Sequence, residues 1–331
     1  MNNMIVSQGS ANTTYIAHAV IDHPSREQTR SLSAAPQARL GSQGRCHSFH
    51  ELRQVAVTTD PRQVMPADDL QNSRILTAAI KELAAHATPR KHPQMHIITG
   101  QMGAGKSTAT SRISEKLDGA LIIDYDDLKR FVPGYSAQAC KGYPGTVPGS
   151  KETARYLVEG LKNYGFDNRL NMVVQESINT RDDEMFKLVK SSRDNGYHVS
   201  LTILAVDKAT STMGVLSRYE SGLKNINQGS NSAEGARCTP MNYHEDAYTS
   251  LTDPQKLNRL LPELHEVVVR GRGAETYYQS SGKVSADEIV EAIERGRASS
   301  QTDPSGLFEK LAALVAFNLQ FRNPELRCNN V

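Results

Sequence analysis

The sequence is short of cysteine and has no long hydrophobic run, and each shortage excludes a class of protein. Its four cysteines lie far apart, at positions 46, 140, 238 and 328, and none forms a Cys-x-x-Cys pair. This spacing predicts neither a zinc site nor a disulfide framework, and it is typical of reduced thiols in a cytoplasmic protein. No apolar run approaches the length of a membrane span, so we expect no membrane association and no export by the general secretory route.

A strong net charge is also absent. The chain of 331 residues carries 38 Lys and Arg against 36 Asp and Glu, a formal charge of +2, with no dense basic cluster. This balance argues against a nucleic-acid partner, while the length is sufficient for a sizeable core.

The first 65 residues contain no lysine, and they are rich in Ser, Gln, Thr and Arg with little periodicity. We therefore predict that residues 1–68 form a disordered N-terminal segment. Such a segment would suit a type III secretion signal that delivers the protein into a host cell. A flexible tail or an inhibitory segment in cis is the alternative.

The clearest pattern present is a phosphate-binding loop, Gly100-x-x-x-x-Gly105-Lys106-Ser107, between a predicted strand at 96–99 and a predicted helix at 108–117. Its glycines let backbone N–H groups point inward, and the following helix presents its positive N-terminal end to the same place. Lys106 would reach the β- and γ-phosphates of ATP or GTP, and the Ser107 hydroxyl would ligate Mg²⁺. The predicted nucleotide-binding residues are Gly100, Gln101, Met102, Gly103, Ala104, Gly105, Lys106, Ser107 and Thr108.

After this loop, strands alternate with helices of about ten residues or more. The predicted strands lie at 120–123, 172–174, 198–206, 266–270 and 276–279. The predicted helices lie at 150–163 (capped by Ser150), 181–195, 208–224, 285–297 and 307–319. This alternation predicts an α/β fold with three layers, α/β/α, a mostly parallel central sheet, and helical and loop insertions. The predicted units are a helical linker at 69–92, a kinase-type domain at 93–299 and a C-terminal helical extension at 300–331.

Carboxylates follow two of the predicted strands. Asp124, Asp126 and Asp127 come after the strand at 120–123, and Glu176 comes after the strand at 172–174. Ligands collect at the carboxyl ends of parallel strands, so we expect these groups beside the phosphate-binding loop. Asp126 is the candidate general base, although one of the three aspartates could instead cap the next helix. Asp124 and Glu176 are the candidate substrate-binding carboxylates, with an exposed strand end as the simpler interpretation of Glu176.

Two arginines are candidates for contact with the transferred phosphoryl group. Arg218 lies on the predicted helix at 208–224, and Arg237 follows a Gly/Asn/Ser loop. An arginine supplied in cis stabilises the transition state of phosphoryl transfer. On local sequence alone, a solvated surface arginine is the simpler interpretation of each.

With these residues identified, residues 95–280 resemble the zeta toxin family of kinases. The matching blocks occur in the order of the family, and they are GQMGAGKST (100–108), IDYDDLKRFVPGY (123–135), VVQES (173–177), NGYHVSLTILAV (195–206), SRYE (217–220) and RCTP (237–240). The resemblance implies a P-loop kinase that phosphorylates the 3′-hydroxyl of the amino sugar in UDP-N-acetylglucosamine. Such an enzyme acts as a toxin or effector by starving cell-wall synthesis.

The resemblance also implies a role for each matched residue. It implies that Lys106 binds the nucleotide and that Asp126 is the general base. It implies a substrate- or metal-associated carboxylate at Glu176, and cations over the γ-phosphate at Arg218 and Arg237.

The sequence departs from the family pattern near the expected acceptor site. Gln175-Glu176-Ser177-Ile178 stands where a Glu-Gly-Thr sequence is more usual, and the loop before Ser150 and the segment between Arg218 and Arg237 are longer. Related effectors of pathogens phosphorylate other metabolites, including NAD, so a kinase of another hydroxyl is the second hypothesis.

A nucleotide-dependent binding module without turnover is a third hypothesis, although such a module has no use for a base. We also expect a protein partner, either an antitoxin or a chaperone. The predicted helix near 70–87 could offer the surface for that partner, or it could cover the site as a built-in inhibitor.

Overall fold

A six-stranded sheet forms the centre of the fold, with the strand order β2-β3-β1-β4-β5-β6. The computed structural model describes residues 69–139, 149–179, 183–228, 236–237, 239–273, 275–300 and 306–320. The strands are β1 (Gln94–Thr99), β2 (Leu121–Ile123), β3 (Met172–Gln175), β4 (His198–Leu204), β5 (Glu266–Arg270) and β6 (Thr276–Ser280). The first five pair in parallel and β6 is antiparallel to β5, which confirms the mostly parallel sheet.

Helices connect the strands and continue beyond them. They are α1 (Asp69–Leu83), α2 (Lys106–Ser114), α3 (Tyr125–Leu128), α4 (Tyr135–Ala139), α5 (Ser150–Asp167), α6 (Glu184–Asp194), α7 (Lys208–Asn227), α8 (Met241–Ser250), α9 (Pro254–Leu260), α10 (Ala286–Ser300) and α11 (Leu307–Leu319). Within the described ranges, we find no helix with the length and apolar character of a membrane span.

The two faces of the sheet carry separate hydrophobic cores, because side chains alternate along a strand. Met95 and Ile97 of β1 belong to the larger core, which also contains buried residues of α1, α5, α6 and α10. Ile98 belongs to the smaller core, where it packs with Ile113 of α2. Helices therefore cover both faces, and the predicted three-layer α/β/α arrangement is confirmed.

Helix α1 is part of the larger core. Its Ala79 is fully buried, and a side-chain carbon added to Gly160 of α5 would overlap the Leu76 side chain. Glu82 of α1 also pairs with Arg130 at 2.6 Å. The predictions for residues 1–68, including a secretion signal, fall outside the described residues.

The start of α5 corrects one prediction from the sequence. Ser150 is the first helical residue, and the preceding Gly149 takes the N-cap position with a φ of 75°. The Ser150 hydroxyl is buried, and it finds no hydrogen-bond partner within the described ranges. A left-handed glycine thus supplies the turn into the helix that a serine side chain was expected to cap.

Candidate active site

The phosphate-binding loop connects the end of β1 to the start of α2, as its sequence predicts. Gly105 is the N-cap of α2 with a φ of 99°, in the left-handed region that favours glycine. Gly103 has a φ of 78°, and an added Cβ there would overlap the Ser211 carbonyl oxygen and lie 2.8 Å from the Val215 nitrogen. The loop is therefore held tightly against α7, and a glycine is required at the contact.

The Lys106 ammonium lies under the loop. Its Nζ donates hydrogen bonds to the carbonyl oxygens of Gly100 (2.7 Å) and Gln101 (3.3 Å). Burial and, to a smaller extent, the Arg218 charge lower the pKa of Lys106 to about 8, although the Asp126 charge acts in the opposite direction. A buried cation at this place favours a polyanionic ligand, whose charge would stabilise the protonated state.

The other predicted nucleotide-binding residues of the loop divide into two groups. Gln101 is fully buried and its Nε2 donates to the Val206 carbonyl (2.7 Å), while Ala104 is fully buried in the smaller core. These two can offer a ligand only their backbone. Ser107 and Thr108 are exposed at the start of α2, where their hydroxyls can reach one.

The three aspartates after β2 have different partners. Asp124 is the N-cap of α3, because its Oδ1 accepts a hydrogen bond from the Asp126 N–H at 2.9 Å. Burial, with the charge of Asp126, raises the pKa of Asp124. Asp127 accepts a hydrogen bond from Arg130 Nε at 3.2 Å. The capping alternative therefore applies to Asp124, whose substrate-binding role stays a prediction.

Asp126 is surrounded by cations. Its Oδ1 accepts from Lys129 Nζ at 2.7 Å, and its Oδ2 lies 3.5 Å from Arg237 Nη1. Burial acts to raise the pKa of Asp126, but Lys129, Arg237 and Arg218 outweigh it and bring the pKa down to about 2. This carboxylate is therefore ionised at neutral pH.

Glu176 follows β3 on the same edge of the sheet. Its N–H donates to the Ile98 carbonyl (3.1 Å), and its Oε1 accepts from the Ser177 N–H (3.0 Å). Its charge raises the pKa of Lys106, which places it within electrostatic reach of the loop. Ile178 is 3% exposed and packs into the larger core, so its side chain is not available to a substrate.

Both arginines turn inward, so neither is a solvated surface arginine. Arg218 Nη2 donates to Thr239 Oγ1 at 3.2 Å, and its Nε is buried with no acceptor among the described residues. The Arg237 side chain is 15% exposed and pairs with Asp126. A buried guanidinium N–H aimed at no acceptor fits an anionic ligand.

Helix α8 helps to hold the segment that carries Arg237. Its His244 is fully buried, and Nε2 lies 2.9 Å from Ser211 Oγ on α7. Burial lowers the pKa of His244, so the ring is neutral at neutral pH. This contact and the Arg218–Thr239 hydrogen bond join the segment to α7 at two points.

Three residues near the site were missed from the sequence. Lys129 pairs with Asp126 three residues before it, a spacing that brings helical side chains together. Thr239 lies within the RCTP block. Arg272 follows β5, and its Cγ lies 3.4 Å from where a Cβ on Gly105 would be. The position of Arg272 just after a strand was the available signal.

The residues present also fit a magnesium ion bound together with a nucleotide. The described residues contain no group of three or more His, Cys, Asp or Glu side chains that could hold a metal alone. Mg²⁺ usually keeps several waters and takes phosphate oxygens with one or two protein ligands. The exposed Ser107 hydroxyl could be such a protein ligand. The charges of Asp124 and Glu176 reach the neighbouring Lys106, so negative charge is also available near this place.

Comparisons with known proteins show what this chain is similar to. The zeta toxin family model matches residues 77–282. Toxin PezT of Streptococcus pneumoniae is 24% identical over 234 residues, covering 70% of this chain and 89% of the relative. Toxin zeta of Streptococcus pyogenes is 22% identical over 267 residues, covering 78% and 88%.

A solved structure from the PezAT chromosomal toxin-antitoxin system of Streptococcus pneumoniae is similar in fold. Its TM-score is 0.62 at 21% identity, over 75% of this chain and 98% of that one. This likeness shows the fold, a mostly parallel sheet with helices on both faces. Because the family model covers more than half of the chain, from before the phosphate-binding loop to beyond Arg237, the chain belongs to the zeta toxin family.

Proposed function

We propose that this protein is a Mg²⁺- and ATP-dependent small-molecule kinase that acts as a toxin. It transfers the γ-phosphoryl group to a hydroxyl of a sugar nucleotide, with the 3′-hydroxyl of UDP-N-acetylglucosamine as the favoured acceptor. One observation carries the proposal: an ionised carboxylate, Asp126, lies among Arg218, Arg237 and the Lys106 loop at one edge of the sheet. Phosphoryl transfer needs such an arrangement of base and cations.

The cations stabilise charge on the transferred group. Lys106 binds the β- and γ-phosphates, and Arg218 and Arg237 approach the oxygens of the γ-phosphate from α7 and the segment before α8. Preorganised donors in a partly buried site are worth more than in water, because they need no reorganisation during the reaction. With Ser107 as its protein ligand, Mg²⁺ would supply neutralisation of phosphate charge.

Asp126 orients the acceptor hydroxyl and takes its proton. A carboxylate with a pKa of about 2 is a weak base, because cations hold it ionised. Once Arg237 turns to the γ-phosphate, its ion pair with Asp126 is lost and the carboxylate becomes more basic. ATP binding therefore raises the basicity of Asp126, so the carboxylate can take the proton of the acceptor only when the phosphoryl donor is bound.

The test measures phosphoryl transfer to a panel of acceptors. The protein is incubated with γ-labelled ATP, Mg²⁺ and UDP-sugars, NAD or nucleosides, and label is expected on UDP-N-acetylglucosamine. The Asp126→Asn variant should still bind ATP but should lose on the order of 10²–10⁴ in turnover. Asp127→Asn is the matched control, because that aspartate pairs with Arg130.

Each contrary outcome contradicts a different part of the proposal. Label on NAD but on no UDP-sugar would replace the acceptor and keep the kinase chemistry. ATP binding without product from any acceptor would favour a binding module. Normal turnover of Asp126→Asn would remove the base assignment alone.

We also propose a protein antitoxin as a partner. The support is family membership, together with the description of the similar PezAT structure as a toxin-antitoxin system. Toxicity of the chain on expression, relieved by a neighbouring gene product that binds it, would agree with this partner. Toxicity that no co-expressed neighbour relieves would count against it.

A further inference from the structure

Helix α7 has two opposite faces with different contacts. Successive residues are rotated by about 100° around a helix, so spacings of three, four and seven share a face. The face towards the phosphate-binding loop carries Ser211, Gly214, Val215 and Arg218. The opposite face carries Glu220, Leu223, Lys224 and Asn227.

The C-terminal helix α11 covers this second face. The buried side of α11 consists of Leu307, Leu311, Leu314 and Asn318. Lys224 Nζ lies 5.2 Å from the centre of the Phe317 ring, so the two helices are in side-chain contact. Helix α11 lies beyond residues 77–282, the part of the chain that the family model matches.

Asn318 is the polar residue on the buried side of α11, where the others are leucines. It is 2% exposed, and its Nδ2 donates to the Glu220 backbone oxygen (2.8 Å) and to Glu220 Oε2 (2.7 Å). Its Oδ1 accepts from Asn227 Nδ2 at 3.2 Å. Glu220 is itself only 8% exposed. Burying a polar group costs free energy unless it is hydrogen-bonded. These hydrogen bonds can therefore form at only one rotation of α7 about its axis and one position along α11.

We propose that Asn318 is a positioning residue for Arg218. The Asn318–Glu220 contact fixes the rotation of α7 from the face opposite the phosphate-binding loop. Arg218, two residues before Glu220 and on the other face of α7, is thereby held at the γ-phosphate. The inference rests on the proposed function, in which Arg218 contacts that phosphate. Displacement of a charged group by about 1 Å is enough to weaken such a contact severely.

The test uses the preference for ATP over ADP, because only ATP offers Arg218 a γ-phosphate. Affinities for Mg·ATP and Mg·ADP are measured by titration, at a temperature well below unfolding. Arg218→Ala defines the loss of the contact. Asn318→Asp places a second carboxylate against Glu220, and it should lower the ATP preference about tenfold, as expected when a charge-assisted hydrogen bond is lost.

Rescue separates positioning from general destabilisation. In the double variant Asn318→Asp, Glu220→Gln, the amide and the carboxylate exchange places, so the side-chain hydrogen bond can form again. The bond to the backbone oxygen of residue 220 stays lost, because a carboxylate has no donor, and the ATP preference should therefore recover in part. Leu319→Ala, at a neighbouring residue that is 53% exposed, is the matched control and should keep the preference.

The outcomes distinguish this inference from the proposed function. If Arg218→Ala loses the preference while Asn318→Asp keeps it, the inference is wrong and the proposed function stands. If the double variant is as impaired as Asn318→Asp, the effect is general destabilisation and the inference is again wrong. If the wild-type protein binds neither nucleotide, or Arg218→Ala keeps the preference, the proposed role of Arg218 fails and the inference fails with it.

Discussion

At the scale of single residues, Lys106 links the state of the site to pH. Its ammonium donates to two loop carbonyls, and burial has already brought its pKa down to about 8. A bound triphosphate would place negative charge beside it and raise the pKa again. The free protein therefore loses this proton at a lower pH than the complex does, and binding is coupled to protonation.

We predict that Mg·ATP binding takes up a proton above pH 8. With a free pKa of about 8, affinity should fall about tenfold from pH 7 to pH 9, because one proton is bound with each nucleotide. Calorimetry in buffers of different ionisation enthalpy measures this uptake. Lys106→Arg keeps the charge without titrating, so any binding that remains should occur without uptake; equal uptake in both proteins would assign the proton to another group.

At the scale of elements, the phosphate-binding loop and α7 approach each other backbone to backbone. A Cβ on Gly214 would overlap the Gly103 carbonyl oxygen, and it would also lie 3.1 Å from Arg272 Nη1. Both sides of this contact are backbone, so neither can yield by a change of rotamer. The glycine on α7 is thus needed for approach, although it weakens the helix.

We predict that Gly214→Ala weakens ATP binding more than it weakens the fold. Overpacking costs about 1–3 kcal/mol, while alanine returns about 1 kcal/mol of helix propensity, so the net loss of stability should be modest. The displaced loop should lose at least about tenfold in ATP affinity. Thr212→Ala gains helix propensity without adding atoms at the contact, and it should bind ATP normally. A Gly214→Ala protein with unchanged affinity would show that the loop does not depend on α7.

The elements themselves were largely predictable from the sequence, whereas their contacts were not. Strand β5 and helix α11 have the predicted bounds, because short apolar runs and apolar spacing of three and four are local signals. The inward orientation of Arg218 could not be predicted from the local sequence, because its hydrogen-bond partner Thr239 lies twenty-one residues away. The Asn318–Glu220 pair spans 98 residues, and no local pattern distinguishes it from any exposed asparagine.

At the scale of the whole molecule, the sheet contains a histidine whose protonation we expect to oppose folding. His96 lies in β1, the strand that leads into the phosphate-binding loop, and its Nε2 lies 2.9 Å from Thr202 Oγ1 on β4. Burial lowers the pKa of His96 to about 4; the Glu266 charge opposes the shift, and Arg270 and Lys116 add to it. The folded protein therefore keeps this ring neutral where an unfolded chain would protonate it.

We predict that His96 removes stability as the pH falls from 6.5 to about 4. Above that window both states are neutral; within it only the unfolded state binds the proton, so the free energy of unfolding decreases by up to about 3 kcal/mol. Urea unfolding of the wild type and of His96→Gln across this range measures the free energy of unfolding of each. Subtracting one curve from the other cancels the contribution of groups that titrate alike in both proteins. Glutamine does not titrate in this range, so the variant should lose less stability on acidification, and its amide keeps a polar group beside Thr202. His92→Gln, at an exposed position outside the sheet, should follow the wild type. Parallel curves for wild type and His96→Gln would mean that the ring is protonated in the fold, and the sheet could then not be the source of acid sensitivity.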